Sequence, residues 1–138
     1  MNTQIKTDSG ILTLPETMHT ITVNHNLGEI PTYGYIYMEP MDSSKIPFGS
    51  CVSCAYGKLP YTNMGSVDEQ YSMRYVYTYK HSTSGNFLQG TWYAKMPTST
   101  VFYFDCGNND WPALDVDGNP IKYYWIVGKF TKEVTPNA

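Results

Sequence analysis

Hydrophobic and polar residues alternate with a period of two along most of this chain. In the segment MRYVYTYK, at residues 73–80, the methionine and the tyrosines fall on one side, and the arginine, valine, threonine and lysine on the other. This spacing is typical of β-strands, and we find no dozen residues with the three- and four-residue spacing of a helix. The predicted strands cover residues 18–23, 32–39, 48–56, 72–80, 86–95, 99–106 and 122–132, with a short eighth candidate at 11–14.

The predicted strands are short and are separated by turn-forming residues. Glycine occurs 11 times and proline 9 times, throughout the chain. Such a pattern favours an antiparallel sandwich or barrel, and we predict an all-β fold: a single antiparallel β-sandwich of about seven or eight strands. Two long loops would cover residues 57–70 and 107–120. The 138 residues make one domain, 1–138, in which residues 1–10 are expected to be a flexible arm.

The composition is rich in aromatic residues and poor in charge. Aromatic residues make up 15% of the chain and charged residues also 15%, against a usual value of about 25%. Such a surface suits contact with sugars or with neighbouring subunits. A net charge of −3 without a basic cluster predicts no nucleic-acid partner. No window approaches the roughly 18 apolar residues of a membrane span, so no membrane insertion is expected.

The three cysteines raise the question of a redox or metal site. Cys51 and Cys54 lie three residues apart on a predicted strand and should project to opposite faces. A zinc site would need a second ligand pair, and only Cys106 and scattered histidines are available. An odd number of cysteines also suggests no disulfide framework. We therefore expect buried thiols that act as small hydrophobic groups, with no metal and no cofactor.

No catalytic centre can be recognised in the sequence. The three histidines have no accompanying nucleophile or paired-carboxylate motif, and hydrogen bonding within turns or across strands is their expected role. The segment DVDGNP reads as a turn, although Asp115 and Asp117 could gather an adventitious cation together with Asp110. Polysaccharide cleavage would need two carboxylates, for which the candidates are these three and Asp105. We expect a protein that is not an enzyme.

Aromatic residues on the long loops are the candidates for binding. Trp111 follows Asn108, Asn109 and Asp110, and an indole beside amides and a carboxylate is the chemistry that grips carbohydrate or a protein partner. Tyr61 lies on the other loop. The alternative, that Trp111 plugs the sandwich edge, stays open at this point.

Two tyrosine stripes have the spacing of a strand. One is Tyr33, Tyr35 and Tyr37, and the other is the 75, 77 and 79 set of the segment above. We expect each stripe to cover a sheet face, in the core or at a subunit contact, rather than to stack on sugar rings.

The polar apex NHNLGEIP between two predicted strands indicates a structural corner. Gly28 can take the positive φ that turns the chain, and Pro31 sets the entry to the next strand. Leu27 is expected to fold back onto the core, and Asn24 or Asn26 to tie the loop through side-chain to backbone hydrogen bonds.

The corner and the last strand resemble a known group of domains. The segment ITVNHNLGEIPTYGYIYM resembles the strand, His-Gly-Leu-Gly, x-x-Pro, strand element of bacteriophage virion-surface domains, with Asn26 where such segments often have glycine. The segment YYWIVGKF resembles their closing strand. The resemblance covers residues 17–40 and 121–130, and these domains are similar in outline to the H-type lectin sandwich, whose chains associate as trimers or hexamers.

The resemblance implies a non-enzymatic structural protein of a bacteriophage particle: a tail-fibre, baseplate or capsid-decoration subunit. Its expected partners are other virion proteins, further copies of itself as a trimer or hexamer, and a host-surface glycan. It would be made in the host cytoplasm, since no signal peptide is visible, and would reside in the virion. A stand-alone carbohydrate-binding lectin is the alternative, and a polysaccharide-degrading enzyme is the third hypothesis.

Overall fold

The computed structural model describes residues 3–39, 42–58 and 73–132. These residues form eight strands and a short 3-10 turn at Ser43–Lys45. No helix in the described part of the chain is long and apolar enough to cross a membrane. The strands are Thr3–Leu12 (β1), Ile21–Asn24 (β2), Tyr33–Met38 (β3), Cys51–Lys58 (β4), Met73–Lys80 (β5), Phe87–Ala94 (β6), Val101–Phe104 (β7) and Tyr123–Lys132 (β8).

The strands form two antiparallel sheets. The larger has six strands in the order β1-β8-β3-β4-β5-β6, and the smaller consists of β2 and β7. Every pair of neighbouring strands is antiparallel. The prediction of an all-β antiparallel sandwich is confirmed. The predicted loop at residues 57–70 begins later, because β4 extends through Lys58, and the rest of that loop lies outside the described residues.

The expectation of a flexible arm at residues 1–10 is wrong for the residues that the structure describes. Thr3–Leu12 pairs along its whole length with β8, from Thr3 opposite Lys132 to Leu12 opposite Tyr123. A salt bridge of 2.6 Å from Lys6 to Glu29 also ties the strand to the corner. The strand escaped prediction because it carries polar residues on both faces, as a strand at a sheet edge can.

The two sheets pack through aromatic rings. Phe102 and Phe104 of the small sheet meet the ring of Tyr56 edge-on, at centroid distances of 5.3 and 5.5 Å. Gly34 of β3 lies directly beneath the Phe102 ring, where a Cβ atom would overlap with it. The hydrophobic core also includes Ile21, Val23, Ile36, Met38, Cys54, Met73, Tyr75, Ile121, Tyr123 and Val127.

The corner turns as predicted, but a different side chain ties it. Gly28 has a φ of +70° and Leu27 is buried in the core, as expected. The buried His25, rather than either asparagine, holds the loop: its Nδ1 accepts from the Leu27 N–H at 3.3 Å and its Nε2 donates to the carbonyl of Thr98 at 3.0 Å. Asn26 is exposed, and its backbone N–H donates to Asp8. Pro31 is buried just before β3.

The cysteine prediction is wrong for two of the three thiols. Cys51 and Cys106 form a disulfide with a Cα–Cα distance of 6.1 Å. A bulge between Cys51 and Ser53 inserts one residue, so Cys51 and Cys54 both face the small sheet instead of opposite sides. Cys54 is the buried free thiol that was predicted, and burial raises its pKa well above the ordinary value.

The small sheet covers only the middle of the large one. It has two strands against six, and its Phe102 packs on Gly34 of β3 and Tyr56 of β4. On β6, Leu88 and Trp92 point to the same side as the buried Tyr75, since Trp92 is directly opposite Tyr75 in the register. They are nevertheless 40% and 61% exposed. The sandwich is therefore open along β6.

The two tyrosine stripes lie on opposite faces of the large sheet. The stripe on β5 faces inward, where Tyr75 is buried and Tyr77 and Tyr79 are half-buried. The stripe on β3 faces outward, and its Tyr35 and Tyr37 are 38% and 37% exposed. The β5 stripe thus covers a sheet face, as predicted, and a subunit contact on the β3 stripe stays a prediction.

Candidate binding groove

Trp111 is buried at the edge of the sandwich core and is not exposed for binding. Its side chain is 0% exposed, and its indole Nε1 donates to the carbonyl of Phe104 at 3.2 Å. The ring meets Tyr123 edge-on at 5.7 Å. Two backbone hydrogen bonds with Met18 hold the loop in place. The expectation that Trp111 grips a ligand from solvent is therefore wrong, because no face of the indole reaches solvent.

The neighbours predicted with Trp111 separate in the structure. Asn108 is exposed, and Asn109 packs inward, where its side-chain amide donates to the carbonyl of Cys106 at 3.4 Å. Asp110 is exposed and lies 3.5 Å from His19. Tyr61 lies outside the described residues.

A groove of about 440 Å³ opens where the small sheet leaves the inner face of β5 and β6 uncovered. We call it the Trp92 groove. Its lining combines exposed and half-buried aromatic rings with polar groups from the far side of the sandwich. The lining residues are His19, Tyr75, Tyr77, Thr91, Trp92, Tyr93, Asp105, Gly107 and Asn108.

The aromatic floor depends on two glycines. The ring of Tyr77 lies so close to Gly90 of β6 and to Gly107 that a Cβ atom at either position would overlap with it. The hydroxyl of Tyr75 accepts from the N–H of Gly107 at 3.1 Å. Burial raises the pKa of Tyr75 to about 12, so this tyrosine is neutral at physiological pH. The floor is made of two tyrosine rings tilted by 44° to each other, and the strand beneath holds it in place.

The acidic wall of the groove is fixed by hydrogen bonds. Asp105 follows β7, and its carboxylate accepts from the hydroxyl of Thr20 at 2.5 Å. The hydroxyl of Tyr56 contacts both the backbone N–H and the carbonyl of Asp105. Asp105 is the single carboxylate among the described residues that line the groove. The wall therefore presents one acceptor group in a defined position.

His19 and Asn108 complete the rim. The Nδ1 atom of His19 is 3.2 Å from the carbonyl of Asn109, which requires a hydrogen on that nitrogen. The groove thus sets one exposed indole, that of Trp92, beside a carboxylate, an amide and an imidazole. Stacking on an aromatic face, with planar hydrogen-bonding groups alongside, fits a flat ligand with several hydroxyl groups.

Hydrogen bonds and an ion pair hold the acidic turn at residues 115–119. The carboxylate of Asp115 accepts from the N–H groups of Asp117 and Asn119, each at 2.9 Å, and Asp117 pairs with Lys45 at 2.5 Å. These backbone hydrogen bonds hold the pKa of Asp115 below its usual range. Across the described residues, no three His, Cys, Asp or Glu side chains come together in a way that could hold a metal ion.

The sequence pointed to Trp111 rather than to the exposed Trp92 for a physical reason. Trp111 sits among loop residues and Trp92 within a strand, and loops are usually the exposed part. The relevant signal was the segment FLQGTWYA, which carries apolar residues on both faces of one strand. Such a strand is either buried on both sides or left uncovered at an edge.

No protein-family model, no curated protein and no solved structure matches the chain.

Proposed function

We propose that this chain is a non-enzymatic recognition subunit of a bacteriophage particle, in a tail fibre, a baseplate or a capsid decoration, and that the Trp92 groove binds host-surface carbohydrate. The observation that carries the binding role is the 61% exposed indole of Trp92 beside the fixed carboxylate of Asp105. An apolar ring with a few polar groups in fixed positions beside it is the usual composition of a ligand site.

Three further observations support the setting. The segment that resembles virion-surface domains forms an ordered corner, with Gly28 at a positive φ and Leu27 buried. The disulfide between Cys51 and Cys106 suits a protein that acts outside a reducing cytosol. The outward tyrosine stripe on β3 is available to neighbouring subunits.

The groove favours binding over cleavage. Glycoside hydrolysis commonly needs two carboxylates on either side of the scissile bond. Asp105 has no second acid beside it among the described lining residues, and Asp110 is turned towards His19. The one negative charge also favours neutral sugars over sialic or uronic acids, because an acidic sugar would meet like charge.

Replacing Trp92 by alanine is expected to weaken carbohydrate binding at least tenfold, about 1.4 kcal/mol, because the stacking surface is lost. The measurement is a glycan array followed by titration calorimetry on the strongest ligand, with neutral and acidic glycans compared. Phe48→Ala is the matched control, since it removes a 60% exposed ring that does not line the groove. Equal binding by Trp92→Ala and the wild type would rule the groove out.

A stand-alone lectin would use the same groove, so glycan binding alone does not separate the two hypotheses. A virion subunit must in addition associate with particle proteins. Mass measurement of the native assembly, together with detection of the chain in purified particles, distinguishes them. A glycan-binding monomer that is absent from particles would favour the lectin.

A further inference from the structure

The open edge of the large sheet has no protection against pairing. In the described part of the chain, no strand pairs with the outer side of β6. The strand FLQGTWYA contains no charged residue and no proline, and it pairs with β5 at all eight positions without a register shift. Proteins normally guard such edges with charges, prolines or bulges. The opposite edge, β1, does carry charges, at Lys6 and Asp8.

The residues of β6 are also symmetric about Gly90. Moving outward from the glycine, the flanking pairs are polar and uncharged, then large and apolar, then aromatic. The pairs are Gln89 with Thr91, Leu88 with Trp92, and Phe87 with Tyr93. In an antiparallel pairing of two identical strands about a central residue, each position faces its own counterpart from the other side of the centre.

We propose that two copies of this chain pair through β6, antiparallel and about a two-fold axis at Gly90, so that their two large sheets join into one continuous sheet. In this register, Leu88 of one copy lies directly across from Trp92 of the second copy, and Gln89 across from Thr91. Leu88, Trp92 and Phe87 are each at least 40% exposed in the single chain. The pairing gives each of them a cross-strand partner of matching character.

The flanking pairs carry this inference, and Gly90 alone does not. The close approach of Tyr77 already accounts for a glycine at that position. The β5 residues opposite these six, Arg74 to Lys80, follow a related order about Tyr77, so the flanking pairs carry the inference together with the uncharged, unpaired outer side of β6 in the described chain. Because no charge lies on the strand, two copies meet without repulsion between like charges. A second copy is therefore the occupant that the edge fits.

The pairing has a consequence for the Trp92 groove, and this part rests on the proposed function. A two-fold axis perpendicular to the sheet leaves both copies with the same face outward. Two grooves would then open side by side on one surface, next to the axis. Weak binding of one sugar at each groove would be strengthened by avidity on a repetitive glycan.

Two double variants that differ only at residue 89 test the pairing. In Q89E/T91E, the carboxylate introduced at position 89 faces the carboxylate introduced at position 91 of the other copy. In Q89K/T91E, an ammonium group at position 89 faces that carboxylate instead. Both variants keep the same change beside Arg74, whose Nε donates to Thr91 at 2.9 Å. Sedimentation equilibrium of each chain is measured up to about 1 mM, the weak end of specific association.

The wild type is expected at twice the chain mass, Q89E/T91E with a dimer Kd raised at least tenfold, and Q89K/T91E restored to a dimer. Circular dichroism checks that both variants fold. A wild type that stays monomeric, or a Q89E/T91E variant that dimerises like the wild type, would overturn the pairing. A folded Q89K/T91E monomer would overturn the register about Gly90. None of these results depends on sugar binding, so the pairing and the proposed function can fail separately.

Discussion

Replacing Cys106 by serine is expected to lower the free energy of unfolding by about 4 kcal/mol. The disulfide to Cys51 closes a loop with a sequence separation of 55 residues. In the chain-entropy description, removing a cross-link that closes a loop of that length raises the conformational entropy of the unfolded chain. This entropy lowers the free energy of unfolding by about 4 kcal/mol at 25 °C. Because small domains have only about 5–15 kcal/mol of stability, the variant should lose a large part of it. Urea denaturation followed by circular dichroism measures the change.

The free thiol provides the control for this prediction. Cys54 lies on the same strand and is buried, but it has no disulfide partner. Cys54→Ala should therefore lower the free energy of unfolding much less than Cys106→Ser does, and reducing agent is expected to destabilise the Cys54→Ala variant and the wild type alike. Thiol titration of the unfolded, unreduced protein should find one reactive group. Three reactive groups, or a stability that does not respond to reductant, would contradict the disulfide.

The disulfide marks a limit of prediction from spacing. Alternation places residues three apart on opposite faces of a strand, and on that basis Cys51 and Cys54 were separated. The bulge after Cys51 breaks the alternation by one residue, and this depends on pairing with β5 rather than on any local signal. Cys106 comes within reach only because the loop after β7 returns to the start of β4. Contacts between distant segments cannot be read from a period of two.

The strands themselves were largely predictable, because alternation reports burial directly. β5 was expected at residues 72–80 and is Met73–Lys80, and β6 was expected at 86–95 and is Phe87–Ala94. Most of β1 was not predicted, because its sequence, TQIKTDSGIL, carries polar residues on both faces and shows no clear alternation. Its place depends on the ten residues of β8 across from it. A strand at an edge is specified by its partner more than by its own face.

The candidate site was less predictable, because exposure depends on how far one sheet extends over the other. Trp92 and Tyr75 are opposite each other on the same face, yet one is exposed and the other buried. The difference arises because the small sheet has only two strands, which pack over β3 and β4 and leave β6 uncovered. Of the residues chosen from the sequence for binding, Asn108 alone lies on the Trp92 groove within the described chain.

Replacing Trp111 should therefore lower the free energy of unfolding far more than replacing Trp92. Trp111→Ala is expected to lower the free energy of unfolding by about 3–5 kcal/mol, since it empties a fully buried site and leaves the carbonyl of Phe104 without its indole donor. In the monomeric chain the Trp92 ring is largely exposed, so Trp92→Ala should change the stability of the monomer by less than about 1 kcal/mol. Urea denaturation followed by circular dichroism compares the two variants.

Trp111→Phe makes the prediction measurable even if the alanine variant does not fold. Phenylalanine fills part of the site and retains an edge-on contact with Tyr123, but it cannot donate to the Phe104 carbonyl. Its stability should fall between those of Trp111→Ala and the wild type. Because the indole of Trp111 does not reach the Trp92 groove, folded Trp111→Phe should bind carbohydrate as the wild type does. Loss of glycan binding in that variant, with full stability, would return the site to the loop on which the sequence first placed it.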